Sequence, residues 1–144
     1  MDVHKIGIVG AGAMGTGIAN VAVMNGYEVV LRDIDISYVE KSRQNMAKFM
    51  ARSVEKGKMS EEQRQAALNR IKGTTALEDL ADVDFVIEAA IEDLNLKKEI
   101  FKSLDSICRP EIVLATNTSS MSITAIGAST TRPDKVCGMH FFNP

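Results

Sequence analysis

One junction constrains this chain more than any other feature. A short apolar run, Ile6-Gly7-Ile8-Val9, leads straight into Gly10-Ala11-Gly12-Ala13-Met14-Gly15. G-x-G-x-x-G between a strand and a helix is a tight crossover turn with a separate job for each glycine. Gly10 permits the turn. Gly12 lets the backbone approach a pyrophosphate where a Cβ would collide, and Gly15 lets the helix pack closely on the strand. Ala13 and Met14 stand at the helix start, where free backbone N–H groups and the helix dipole favour a phosphate.

Glycine-rich turns also serve other nucleotides and plain structural needs, so a second check is required. The next strand-like run, Glu28-Val29-Val30-Leu31-Arg32-Asp33, ends in an acid 18 residues after Gly15, near the ~20 expected of a dinucleotide fold. A carboxylate there accepts hydrogen bonds from the adenosine ribose and repels a 2′-phosphate. NAD is therefore the preferred cofactor. Arg32 beside it leaves NADP open.

Beyond this unit, β-rich runs alternate with helical patterns, which is the mark of a parallel α/β sheet. Apolar Met14, Ile18, Val21 and Ala22 predict a helix over about 14–25, ended by Asn25-Gly26. Val39, Met46, Phe49, Met50 and Val54 predict one over 36–55, with Gly57 as its stop. Ser60-Glu61-Glu62-Gln63 is a capping box that starts another helix, running to about Ile71. Strands follow at Gly73–Thr75 (weak), Phe85–Ile87, Ile112–Thr116 and Val136–His140, with helices over 94–107 and Ser122–Ala128. The expected fold is a doubly wound parallel sheet of Rossmann type. An antiparallel helix pair, about 36–72, is inserted after the second strand and projects from the sheet.

With 144 residues, 45% of them hydrophobic, the chain has the material for one domain with a real core. The formal charge of −2, with both signs spread along the chain, argues against a nucleic-acid footprint. Cys108 and Cys137 lack a metal-type spacing and no metal is expected. No run is long enough to span a bilayer, and no leader pattern precedes the first strand. A soluble, cytoplasmic protein is expected.

Ligands in such sheets sit at the carboxyl ends of the strands. That edge should carry Glu92 and Lys97 after the fourth strand, and Thr116-Asn117-Thr118-Ser119-Ser120 after the fifth. His140-Phe141-Phe142-Asn143-Pro144 follows the sixth. A neutral imidazole at His140 could take an alcohol proton as a hydride leaves.

Gly10–Gly15, Leu31-Arg32-Asp33, Val86-Ile87-Glu88-Ala89-Ala90, Asn117–Ser120 and Gly138–Pro144 together resemble the 3-hydroxyacyl-CoA dehydrogenase family, most closely the bacterial 3-hydroxybutyryl-CoA dehydrogenases. The likeness covers essentially the whole chain. It implies hydride transfer between NAD and C3 of an acyl-CoA, in fatty-acid and butyrate metabolism. By the same resemblance His140 is the general base, and Ser119 holds the substrate oxygen and lies against the nicotinamide. Gly10, Gly12, Ala13, Met14, Gly15, Asp33, Glu92, Lys97 and Asn143 contact the cofactor, and Lys56 meets the CoA phosphates. A family serine that also contacts CoA is replaced here by Phe49. In the family, a downstream glutamate polarises the histidine. A helical C-terminal domain completes the substrate site and the homo-oligomer interface. These lie beyond Pro144, so this chain is expected to bind NAD(H) but turn over poorly, with His140 lacking its carboxylate partner. Two other readings compete: a non-catalytic NAD-binding module, and a dehydrogenase of small 3-hydroxy acids.

Overall fold

The computed structural model describes residues 2–142. Six strands form one sheet: β1 Lys5–Val9, β2 Glu28–Arg32, β3 Ile71–Thr74, β4 Phe85–Glu88, β5 Val113–Thr116 and β6 Val136–Gly138. Their order is β3-β2-β1-β4-β5-β6, and every neighbouring pair is parallel. Five α-helices connect them: α1 Ala13–Met24, α2 Ile36–Glu55, α3 Glu61–Asn69, α4 Leu94–Ile107 and α5 Ile123–Gly127.

Strand residues alternate between the two faces, as the period of a strand requires. Ile8, Leu31 and Ile87 point into a core shared with Ile18, Ala19 and Val23 of α1 and Val39, Met46 and Met50 of α2. Their neighbours Val9, Val30 and Val86 point into the opposite core, with Leu114 and with Ile100, Phe101 and Leu104 of α4. The register aligns the strand ends into one row, Thr74, Arg32, Val9, Glu88, Thr116 and Gly138. Every loop carrying an expected site residue before Asn143, apart from Lys56, leaves from that row. The strand order reverses between β1 and β4, where such folds open their ligand crevice.

Local chemistry sets the helix ends. Ser60 and Gln63 close the capping box reciprocally. Asp35, Asp93 and Ser122 cap α2, α4 and α5 by accepting first-turn N–H groups. Gly26 and Gly57 follow α1 and α2 at φ +93° and +72°, a conformation only glycine adopts cheaply. Beyond α4, Arg132 is buried, pairs with Asp105 at 2.8 Å and donates to the carbonyls of Asp105, Cys108, Arg109 and Ile112. One guanidinium thus satisfies carbonyls that the end of α4 leaves free.

Several details depart from the sequence-based expectations. α2 does not simply stand clear of the sheet. Val39, Met46 and Met50 are buried in the sheet core, and a Cβ on Gly73 would collide with the Val39 side chain. The buried stripe of α1 differs from the expected one: Val21 is 56% exposed, while Ala19 and Val23 are buried. Phe49 is likewise half exposed. β6 ends at Gly138, so His140 lies two residues beyond the strand rather than in it. Two 3-10 turns, Leu77–Leu80 and Pro133–Lys135, were not foreseen. No helix among the described residues is long and apolar enough to cross a membrane.

Candidate active site

The glycine-rich turn is held on both sides by the neighbouring strands. Gly10 N–H donates to Arg32 O at 2.8 Å, and Ala89 N–H donates to Val9 O at 2.7 Å. Gly10 adopts φ +114°, and a Cβ there would lie 2.5 Å from the Ala89 carbonyl oxygen. A Cβ on Gly15 would run into the Gly10 carbonyl oxygen. Gly12 is different in kind. It begins α1 without any side-chain cap, and a Cβ built on it meets nothing within 4 Å. The fold therefore does not demand glycine at position 12. A ligand approaching the uncapped amides of Ala13 and Met14 would, and the residues fit a pyrophosphate.

A cleft of about 580 Å³ opens beside this turn, bounded by Gly10, Gly12, Asp33, Ile34, Ala90 and Ile91 among others. Asp33 uses Oδ2 to accept Ala11 N–H at 2.8 Å and Oδ1 to accept Ile34 N–H at 2.7 Å. A carboxylate has roughly four acceptor sites, so capacity for ribose hydroxyls remains. Arg32 donates its Nε to Thr75 O at 2.9 Å, which holds it to the cleft rim.

At the β4 end lies an arrangement that the sequence reading missed. Glu88 and Lys97 are fully buried and paired at 2.6 Å. Glu88 also accepts Ala90 N–H and Thr116 Oγ1–H, each at 2.6 Å, and Lys97 donates to Ala90 O at 3.2 Å. Lys97, expected at the cofactor, is held by this pair at the β4 end of the sheet. Its ammonium is turned inward because the buried Glu88 carboxylate requires a partner. It reaches towards the cleft only through Glu92, at 3.6 Å. A lysine at the apolar spacing Leu94, Lys97, Ile100, Phe101, Leu104 was the available signal for this burial.

Glu92 spans the gap to the β5 loop. It accepts Thr118 Oγ1–H at 2.7 Å and Ser120 Oγ–H at 3.3 Å. The Thr118 bond, outweighing desolvation and aided by Lys97, lowers its pKa. Both neighbours of Ser119 are thereby held, while Ser119 itself is exposed. Across the same edge, His140 Nδ1 lies 3.1 Å from Asn117 O, and Phe141 N–H donates to Asn117 Oδ1 at 2.8 Å. His140 is exposed, with the Phe142 ring edge-on at a centroid distance of 4.6 Å. The imidazole is therefore not left without a partner.

The expected residues thus divide into groups. Gly10, Gly12 and Asp33 share the first cleft, Ala13 and Met14 turn to a second groove, and Glu92, Ser119 and His140 lie in the loops that follow β4, β5 and β6. Lys56 caps the far end of α2, exposed and apart from all of these. Asn143 lies outside the described residues. Met14, Val21 and Phe49 line a second, mostly apolar groove of about 550 Å³ with Phe141 and Phe142, which explains why these residues are not in the core.

Known proteins match this arrangement. The NAD-binding domain model of 3-hydroxyacyl-CoA dehydrogenase matches residues 5–144. A 3-hydroxybutyryl-CoA dehydrogenase of Clostridioides difficile is 44% identical over 140 residues, which are 97% of this chain and 50% of that protein. The crystal structure of the (S)-3-hydroxybutyryl-CoA dehydrogenase of Ralstonia eutropha superposes with a TM-score of 0.96 at 45% identity, covering 99% of this chain and 50% of the other. That of an Escherichia coli 3-hydroxybutyryl-CoA dehydrogenase gives 0.98 at 40% identity, covering 100% and 30%. The chain spans about half the length of the curated relatives it matches. With the glycine turn, the acid after β2 and the strand order in place, the chain belongs to the NAD-binding domain family of the 3-hydroxyacyl-CoA dehydrogenases.

Proposed function

We propose that this chain supplies the NAD site and the proton-transfer group for reversible oxidation of a 3-hydroxyacyl-CoA at C3. Support comes from one observation above all: a single row of strand ends carries the uncapped glycine turn, the Glu92-held Ser119 loop and His140. Bound NAD would accept the hydride. Gly12, Ala13, Met14 and Asp33 would hold it, and Glu92, at the β4 end of the same row, would contact it as well. Ser119 donates to the substrate oxygen at C3. As the C3–H bond breaks with its electron pair, the hydroxyl proton passes to Nε2 of His140, leaving a carbonyl and an imidazolium; reduction runs in reverse. Read as an antiparallel insertion, α2 and α3 offer Lys56 to the CoA phosphates.

His140 and Ser119 are open to water in this chain, and an unshielded site weakens every polar interaction that hydride transfer relies on. The chain alone is therefore proposed to bind NAD(H) firmly and to reduce acetoacetyl-CoA slowly. Titration with NADH and NADPH, followed by nicotinamide fluorescence, tests the first half. NADH transfer to acetoacetyl-CoA, with and without His140→Ala, tests the second. Preference for NADPH, or a residual rate untouched by His140→Ala, would overturn the corresponding half.

A further inference from the structure

We infer that Thr118 is the residue that positions Glu92, locking the loop after β4 to the loop after β5 across the mouth of the site. The inference rests on the reading of Glu92 as a cofactor contact. It gives a role to a side chain that the sequence reading placed only in a polar run.

Thr118 is buried, while Ser119 and Ser120 after it are exposed. A buried hydroxyl needs partners for its oxygen and for its proton. Met121 N–H donates to Oγ1 at 3.3 Å, and Oγ1 donates to Glu92 Oε2 at 2.7 Å. The first bond occupies an oxygen lone pair and leaves the proton for the carboxylate. Behind it, Thr118 N–H donates to Thr116 Oγ1 at 3.3 Å, and Thr116 gives its own proton to Glu88 at 2.6 Å. Lys97 closes the circuit, 2.6 Å from Glu88 and 3.6 Å from Glu92. Two carboxylates, two threonines and one ammonium thus form a ring that joins β4, α4 and β5.

Glu92 is the ring member with the loosest other holds. Its side chain is more than half exposed. Ser120 Oγ reaches it at 3.3 Å from an exposed position, and Lys97 stands at 3.6 Å, beyond hydrogen-bond length. The Thr118 bond is the shortest of the three and has a buried donor, and an ionised acceptor makes such a bond strong. Thr118 also precedes Ser119 directly. One hydroxyl therefore sets the carboxylate on one loop and the backbone leading to Ser119 on the other. Thr118 touches no reacting atom; it acts through Glu92 and is a positioning residue.

A hydroxyl that served only to cap the Met121 amide would support the turn and be indifferent to Glu92. The two roles separate in a double-mutant cycle on NADH affinity, read by nicotinamide fluorescence, with urea midpoints to follow the fold. Thr118→Val removes the hydroxyl and keeps the shape. It should weaken NADH binding roughly fivefold in the parent chain, within the coupling range for groups of one hydrogen-bond network, and little in Glu92→Ala. Thr118→Ser, which keeps the hydroxyl, should restore the parent affinity. The Glu92 carboxyl, titrated by ¹³C NMR and assigned through Glu92→Gln, reads the same bond without ligand. Its pKa is held down in the parent chain, first by Thr118, and should rise in Thr118→Val and stay low in Thr118→Ser. Equal losses of affinity in both backgrounds, or a Glu92 titration indifferent to Thr118→Val, would overturn the inference. If Thr118→Val does not fold, the parent titration still decides: an ordinary glutamate midpoint overturns the inference, and a lowered one that Ser120→Ala leaves in place supports it. Failure of the cofactor reading would register elsewhere, as Glu92→Ala binding NADH like the parent while the carboxyl titration still responds to Thr118→Val.

Discussion

Asp33 Oδ2 accepts the Ala11 amide proton at 2.8 Å, so the acid that follows β2 also ties down the turn that follows β1. Residues expected to grip opposite ends of one ligand half are thereby coupled before any ligand arrives. Replacing Asp33 removes a ribose acceptor and loosens the turn together. Asp33→Ser should weaken NADH binding by about 1.5–3 kcal/mol, the range for hydrogen bonds to a charged group, or more than tenfold. NADPH should lose less. Fluorescence titration of both nucleotides checks this, and an equal loss for the two would contradict it.

The Glu88–Lys97 pair makes a prediction about stability. Lys97→Met strands a fully buried carboxylate and should cost about 3–5 kcal/mol in urea denaturation. Adding Glu88→Gln should recover much of that loss, because the stranded charge is gone while the Thr116 and Ala90 N–H partners lie close enough to bond an amide. Additive losses in the double variant would show that the two groups do not act as a pair.

Acid sensitivity should have an identifiable source at Asp84. The amides of His4 and Lys5 donate to its carboxylate, Arg109 adds a bond at 2.7 Å, and its pKa falls from 3.8 to about 2. A depressed carboxylate pKa stabilises the fold above the unfolded-state value. That stability is lost as pH drops through the folded value. The contribution is therefore complete above about pH 4 and disappears between roughly pH 4 and pH 2. Its size is on the order of 1–2 kcal/mol, given partial solvent screening. Asp84→Asn should flatten that part of the stability–pH curve, read by denaturation at a series of pH values.

Cysteine chemistry should separate the two thiols. Burial pushes Cys108 up to about 11, whereas Cys137 is exposed. Ellman's reagent at neutral pH should modify Cys137 alone in the folded chain, since the thiolate is the reactive form. Cys108 should react only as the chain unfolds. Rapid modification of both would contradict the packing around α4.

The fold was legible in the sequence where period and turn chemistry agree. The strand-turn-helix at Ile6–Gly15, the capping box at Ser60 and the acid at Asp33 each carry their own physical signature within a few residues. The misjudged residues depend on contacts distant in sequence. Val21 and Phe49 are apolar at helical spacing, yet they face a groove with Phe141 and Phe142 that appears only once the chain end folds back. Lys97 sat in an apolar stripe and Glu88 in an apolar strand, but their pairing joins α4 to β4 and is visible only in three dimensions. Arg132 likewise reads as a loop cation until its partners at the end of α4 are known. Asn117 was one of five polar residues in a row, and nothing local distinguishes it from Thr118 or Ser120.

Gly12 offers the most direct test of the whole account, because the folded chain leaves empty space where its Cβ would go. The quantity to measure is the NADH affinity of Gly12→Ala, with circular dichroism and urea midpoint confirming an intact fold. If a pyrophosphate rests on the amides that open α1, the variant should fold normally and bind NADH at least about tenfold more weakly. A properly folded Gly12→Ala that binds NADH as tightly as the parent would contradict the placement of the cofactor on that turn.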